Sequence, residues 1–151
     1  MVALKKELTD VTYKYQGSVM TNTHIKGASD IDLLAICDKF YHWDWLEVGQ
    51  ILNNPTRKKN YYSSQVEKLE RETNMSKYQG DSIQDLRNNR LISERILLNT
   101  YQICDILKPK AIKIKNLSLN REVDTVIANW YDSVSSIISG KGDNRGIQVY
   151  N

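Results

Sequence analysis

Two aspartates one residue apart, Asp30 and Asp32, open an apolar run, Leu33–Ile36. Upstream stands a Gly-Ser pair, Gly17 and Ser18, with an eleven-residue gap between it and Asp30. A Gly-Ser turn can offer backbone N–H groups and a hydroxyl to a phosphate. Two carboxylates at strand spacing point the same way and can hold a divalent cation such as Mg²⁺ or Mn²⁺. A phosphate grip beside paired carboxylates is what metal-assisted nucleotidyl transfer from a nucleoside triphosphate requires. Taken alone, Asp-x-Asp is common in surface loops and reads as a solvated strand end. The Gly-Ser pair upstream tips the reading toward a metal.

A two-metal site wants a third carboxylate on a neighbouring strand, and Asp124 is the candidate. It lies in Arg-Glu-Val-Asp-Thr-Val-Ile-Ala, residues 121–128, an otherwise largely apolar strand. An unpaired aspartate in mid-strand is costly to bury, so it needs either an Arg or Lys across the hairpin or a metal. Lys26 can assist a phosphate, whereas His24, in the same segment, reads as a surface residue. Neither His24 nor His42 has metal-ligand spacing with the cysteines. The aromatic stretch Phe40-Tyr41-His42-Trp43-Asp44-Trp45 can stack a base, but the tryptophans are expected to pack an insert helix on the sheet. Arg57-Lys58-Lys59 reads as a solvated loop before it reads as a nucleic-acid contact. Gly140-Lys141-Gly142 lacks the Walker spacing and is a plain connection.

The elements that must position these residues alternate between the two classes. Residues 2–9 suggest a short helix, and residues 11–16 alternate with β-branched and aromatic types, as a strand does. Residues 18–25 suit a helical turn. Residues 30–37 are apolar after Asp32, as in a central buried strand. The stretch 39–80 is hard to read. Trp43, Trp45, Leu46, Val48, Ile51 and Leu52 fit one helix face, Asn53-Asn54-Pro55 stops it, and 65–71 is a short helix. Apolar spacing over 83–107 predicts the long helix, with Ser82 as its N-cap and Pro109 beyond its end. Residues 111–117 and 121–128 form a hairpin about Leu119-Asn120, 130–138 a short helix, 139–146 a loop, and 147–150 a last strand.

A chain of 151 residues suits one domain. Hydrophobic content of 40% and charged content of 26% are those of an ordinary soluble protein. The net charge of +3 is too small to argue for nucleic acid, but it is compatible with an anionic ligand. Cys37 and Cys104 read as packed thiols. The N-terminus carries charge where a signal peptide needs its apolar core, and no apolar run reaches the ~18 residues of a membrane span. A reduced, cytoplasmic setting without membrane contact is the expectation.

The first motif resembles a known family. Gly-Ser, the gap, Asp-Ile-Asp and a later Val-Asp-x-Val strand are similar to the nucleotidyltransferase superfamily that includes DNA polymerase beta. Thr-x-Ile-x-Gly-x-Ser-Asp-Ile-Asp-Leu-Leu at 23–34 looks closest to the bacterial cyclic-oligonucleotide synthases of antiviral signalling, the cGAS/DncV-like enzymes, with oligoadenylate synthases as relatives. The resemblance covers 10–37 well and 111–128 moderately. It implies an α+β fold, a mixed sheet backed by helices with the site at one edge, as in the polymerase-beta palm. It also implies that Gly17 and Ser18 hold the triphosphate, that Asp30 and Asp32 bind Mg²⁺, and that Asp124 binds the catalytic metal and helps to activate an attacking hydroxyl.

Relatives often continue the third strand as Val-Asp-Val-Val-Pro, whereas this chain has Val-Asp-Thr-Val-Ile. The helical domain that closes the cleft in such enzymes is expected to be missing from this stretch of sequence. The expectation is therefore a nucleotidyltransferase catalytic domain over 1–151, either the N-terminal part of a longer protein or a minimal domain that borrows a partner. The acceptor is expected to be a hydroxyl on another nucleotide. The alternatives are transfer onto RNA or protein, as in toxin–antitoxin enzymes, and a non-catalytic nucleotide-binding module.

Overall fold

The computed structural model describes residues 2–17, 31–118 and 120–151. The expected turn at 18–25, Ser18, His24, Lys26, Asp30 and Leu119 lie outside the described residues. A six-stranded mixed sheet is the frame, and helices are packed against it. Its strands are β1 (Val11–Gly17), β2 (Ile31–Trp43), β3 (Ile103–Asp105), β4 (Ile112–Asn116), β5 (Arg121–Asp132) and β6 (Gly146–Val149). The order is β1-β2-β5-β4-β3, with β6 on β5 beyond β4. Among the described residues only β2 and β5 run parallel, and the other pairs are antiparallel. The α+β class is therefore as expected.

Leu33–Cys37 of β2 are buried without a break, which is what a central strand covered on both faces requires. One face carries Leu33, Ile112 and Ile114 against Leu4 and Leu8 at the N-terminus and Ile96 and Leu97 of α5 (Ser82–Thr100). Ala35, Cys37, Phe40 and Ile127 continue this layer to Leu86. Burial pushes the Cys37 thiol pKa up, and both cysteines are free, as expected. The opposite face carries Leu34, Ile36 and Ala128 with Trp130 and Ile147.

Within residues 39–80, the first five extend β2 and 45–73 form a separate helical pack. Here α2 (Trp45–Leu52), α3 (Pro55–Lys58) and α4 (Ser63–Thr73) lie with α6 (Val134–Ile138) around Val48, Ile51, Leu69 and Ile137. Asn53-Asn54-Pro55 does end α2, but Asn54 also caps α3 by accepting hydrogen bonds from the N–H groups of Thr56 and Arg57. Arg57 and Lys58 of the basic run thus lie in a helix rather than a loop, with Lys59 as its C-cap, and Arg57 pairs with Glu47 while Lys58 pairs with Glu70.

Three expectations on element limits are corrected. The long helix stops at Thr100 rather than 107, because 103–105 leave it to pair with the free edge of β4, Ile103 opposite Lys115. The buried Arg90 guanidinium then donates to the carbonyls of Ile106, Lys108 and Pro109, which satisfies a connection that makes no ladder. Residues 130–132 remain in β5 instead of starting a helix, since β2 and β6 pair with them. Trp43 ends β2 rather than lying on the insert helix.

The N-cap of α5 is Asp81, not Ser82; its Oδ1 accepts from the N–H of Gln84 at 3.1 Å. Asp81→Ala should lower unfolding free energy by about 1 kcal/mol in urea denaturation, and Ser82→Ala should be close to neutral. An equal loss for the two would refute this assignment.

Candidate active site

Parallel pairing of β2 with β5 sets the site. The register places Asp32 directly opposite Asp124, with Ile31 opposite Val123 and Leu33 opposite Thr125. Register partners on neighbouring parallel strands lie about 4.8 Å apart and project to the same side of the sheet. The two carboxylates therefore share a face, the face of Leu34 and Ile36 rather than that of the α1 (Val2–Glu7) and α5 layer. Gln16 of β1 stands opposite Asp32 in the antiparallel pair, and Gly17, the last residue of that strand, stands opposite Ile31. The end of β1 that leads to Ser18 thus lies beside the start of β2, adjacent to Asp32.

The hairpin of β4 and β5 completes the arrangement. Asn120, in its turn, has φ of 49°, the left-handed conformation that asparagine tolerates. Lys113 is the register partner of Asp124, and its Nζ lies 4.0 Å from Asp124 Oδ1 and 3.5 Å from Glu122 Oε2. The lysine across the hairpin, one of the two partners the sequence allowed for Asp124, is therefore present. It does not hydrogen-bond that oxygen. Oδ1 is buried and, among the described residues, accepts no hydrogen bond. A carboxylate oxygen left in that condition, beside a second carboxylate, favours a cation at the pair. Hard oxygen donors of this type suit Mg²⁺ or Mn²⁺. Two of the three expected carboxylates are described, and among the described residues no cluster of three or more ligand-type side chains forms.

Sequence reading did not single out Lys113 or Glu122. The signal that could have found them is the hairpin itself: a basic Lys113-x-Lys115 alternation faces an acidic Glu122-x-Asp124 alternation.

The aromatic stretch at 40–45 divides. Phe40 is buried and Trp43 packs with the insert helices, as expected, but Trp45 is 69% exposed. With His42, whose Nδ1 is 2.6 Å from Gln148 Oε1, the stretch lines a groove of about 560 Å³. Neither Asp32 nor Asp124 lines that groove. At 140–142 the chain turns with positive φ at Gly140 and Lys141, and Lys141 pairs with Glu72, so the stretch is the connection expected.

No family model matches the chain. It is 53% identical over 149 residues to a c-di-GMP synthase of Capnocytophaga granulosa and 46% identical over 149 residues to one of a Lachnospiraceae bacterium. Each match covers 98% of this chain and 42% of the relative. A cyclic dinucleotide synthase CdnE of Yersinia aleksiciae is 28% identical over 145 residues. Among solved structures, a STING-associated CdnE c-di-GMP synthase from a Flavobacteriaceae species matches with a TM-score of 0.84 and 36% identity, over 99% of this chain and 41% of that one. The corresponding Capnocytophaga granulosa structure matches with a TM-score of 0.63 and 43% identity. The chain thus spans about two-fifths of the length of the relatives it matches.

Proposed function

We infer from its homology, along nearly its whole length, to the CdnE-type cyclic-dinucleotide synthases that this chain is the nucleotidyl-transferring core of such an enzyme. The family resemblance read from the first motif agrees with that homology. The observation that carries the chemistry is the direct opposition of Asp32 and Asp124 on adjacent parallel strands, facing one side of the sheet. A mixed sheet with helices on one face and acidic residues on the other supports a polymerase-beta-like palm.

In this reading Asp32 and Asp124, with Asp30, hold Mg²⁺ or Mn²⁺. A metal bound there would lower the pKa of an attacking hydroxyl and neutralise charge on a leaving pyrophosphate. Gly17, Ser18 and Lys26 grip the triphosphate, so that the α-phosphorus meets the acceptor in line. Asp124 orients the acceptor hydroxyl. Each transfer joins a ribose oxygen to the α-phosphorus of a nucleoside triphosphate and releases pyrophosphate, and two such steps close a cyclic dinucleotide. The protein's share of the catalysis is positioning and preorganised charge.

GTP is the substrate we carry over from the relatives, which make c-di-GMP, and antiviral signalling is the setting. The two solved relatives are STING-associated, and a STING-type partner is proposed here on that basis. Base choice is assigned to a closing helical domain. Among the described residues no helix is long and apolar enough to cross a membrane.

Incubation with labelled GTP or ATP and Mg²⁺ or Mn²⁺, followed by separation of products, tests the proposal. The wild type should yield a guanine-containing cyclic or linear dinucleotide, and the Asp30→Ala/Asp32→Ala variant should yield none. Identical product profiles would exclude the enzyme reading. A non-catalytic module would show nucleotide-dependent thermal stabilisation without turnover.

A further inference from the structure

The position of Lys113 relative to Glu122 and Asp124 of β5 has a consequence for how a metal enters the site. Lys113, Glu122 and Asp124 project from one face of the hairpin, because Lys113 is the partner of Asp124 and Glu122 lies two residues back along the same strand. The ammonium sits between the two carboxylates, 3.5 Å from Glu122 Oε2 and 4.0 Å from Asp124 Oδ1. It therefore balances the charge of Asp124 through space without occupying the lone pairs of Oδ1, which accepts no hydrogen bond among the described residues.

We propose that Lys113 is a tethered counter-cation that shields the acidic pair until a divalent metal displaces it onto Glu122. This rests on the reading of Asp32 and Asp124 as metal ligands. A dication at Asp124 outcompetes a single positive charge for the same carboxylate and repels it at short range. Lysine has a flexible four-carbon stem and a rotatable ammonium, so the head group can shift without moving the strand. Glu122 is already within reach, and the displaced cation is not left unpaired beside the metal. Glu122 and Asp124 thus give the ammonium two places to sit, one of which is the metal's. Lys113 acts through Asp124, as a positioning residue, and sets how tightly the metal is held.

The test is titration of the full chain with Mn²⁺ alone, with free Mn²⁺ read by electron paramagnetic resonance and with far-UV circular dichroism to establish folding. Lys113→Met should tighten Mn²⁺ binding about fivefold by removing the competing charge. Glu122→Gln should weaken it about threefold, because the ammonium then loses the carboxylate that draws it away from Asp124. In the Lys113→Met background the Glu122→Gln step should shrink to less than half its size on a logarithmic scale, since it acts through the lysine. Unchanged or weaker binding by Lys113→Met, or an equal Glu122→Gln step in both backgrounds, would overturn the proposal while leaving the metal site standing. If wild type binds no Mn²⁺, or Asp124→Asn binds it as wild type does, the metal reading itself is lost and this inference goes with it.

Discussion

Asp124→Asn should lower nucleotidyl transfer by about a hundred- to a thousandfold, with no loss of fold. Asparagine keeps the shape of the side chain and removes its charge, so strand pairing on either side of β5 is undisturbed. What is lost is one of two carboxylates that face each other across β2 and β5. On the proposed reading the metal would then rest on Asp32 and Asp30 without its third carboxylate, and no carboxylate at 124 would orient an acceptor hydroxyl. The same change relieves repulsion between two like charges about one strand spacing apart, which offsets the lost attraction to Lys113. The melting temperature of the variant should therefore stay within about 3 °C of wild type or rise, because the two charge terms oppose each other and the buried Oδ1 makes no hydrogen bond to lose among the described residues. Initial rates with saturating GTP and Mg²⁺, measured beside thermal denaturation, decide the matter. A rate within about threefold of wild type would remove Asp124 from the reaction.

Arg145→Met should cost about 3–5 kcal/mol of stability, the largest effect expected from a residue outside the acidic pair. Its partner, Asp132, is fully buried at the end of β5. Arg145 Nε donates to Asp132 Oδ1 and a terminal guanidinium nitrogen donates to Oδ2, both at 3.0 Å, while Ser136 donates to Oδ1 at 2.8 Å. The guanidinium also lies over the rings of Trp130 and Tyr41, at 4.7 and 5.6 Å from their centroids. Methionine fills the space of the stem but leaves a buried carboxylate with one hydroxyl donor. Next to it, Gly146 allows β6 to approach β5, since a Cβ there would meet the carbonyl oxygen of Tyr131 at 2.9 Å. The ion pair thus ties β6 and α6 to the end of β5, and through α6 it ties the insert helices to the sheet. Urea denaturation measures the loss. The double variant Asp132→Leu/Arg145→Met, which removes both charges, should lose less than the single one, because it leaves no uncompensated charge. A double variant less stable than the single would show that the cost comes from lost packing.

The residues of the candidate site stood out in the sequence because their types are uncommon in strands. Asp-Ile-Asp before an apolar run, and one aspartate within Val-Asp-Thr-Val, stand out against strand composition without any structure. The strands that carry them were legible for the same reason: alternation in Val11–Gly17 and continuous apolarity in Leu33–Cys37 report burial on one face and on two. Element limits were less accessible. Residues 101–107 carry helix-like apolar spacing, yet they leave the helix because the edge of β4 offers hydrogen bonds that a helix end does not. In 39–80 the tryptophans misled, since Trp43 ends a strand and Trp45 faces solvent, and burial there is set by contacts with α6, far along the chain.

The sequence by itself determined the acidic motif, the α+β class, the hairpin that carries Asp124 and the family to which these point. Local periodicity and residue chemistry are properties of short segments, and short segments contain them in full. Only the tertiary structure decided that Asp32 faces Asp124 with no offset, that both lie on the face opposite the α5 layer, and that Lys113 and Glu122 stand beside them. A slip of one residue in the pairing of β2 with β5 would have put one of the two carboxylates on the opposite face of the sheet, and nothing within either strand forbids that slip. What forbids it is the packing of both strands at once, with Leu33 and Ile127 turned to the helices and Leu34 and Ala128 turned away.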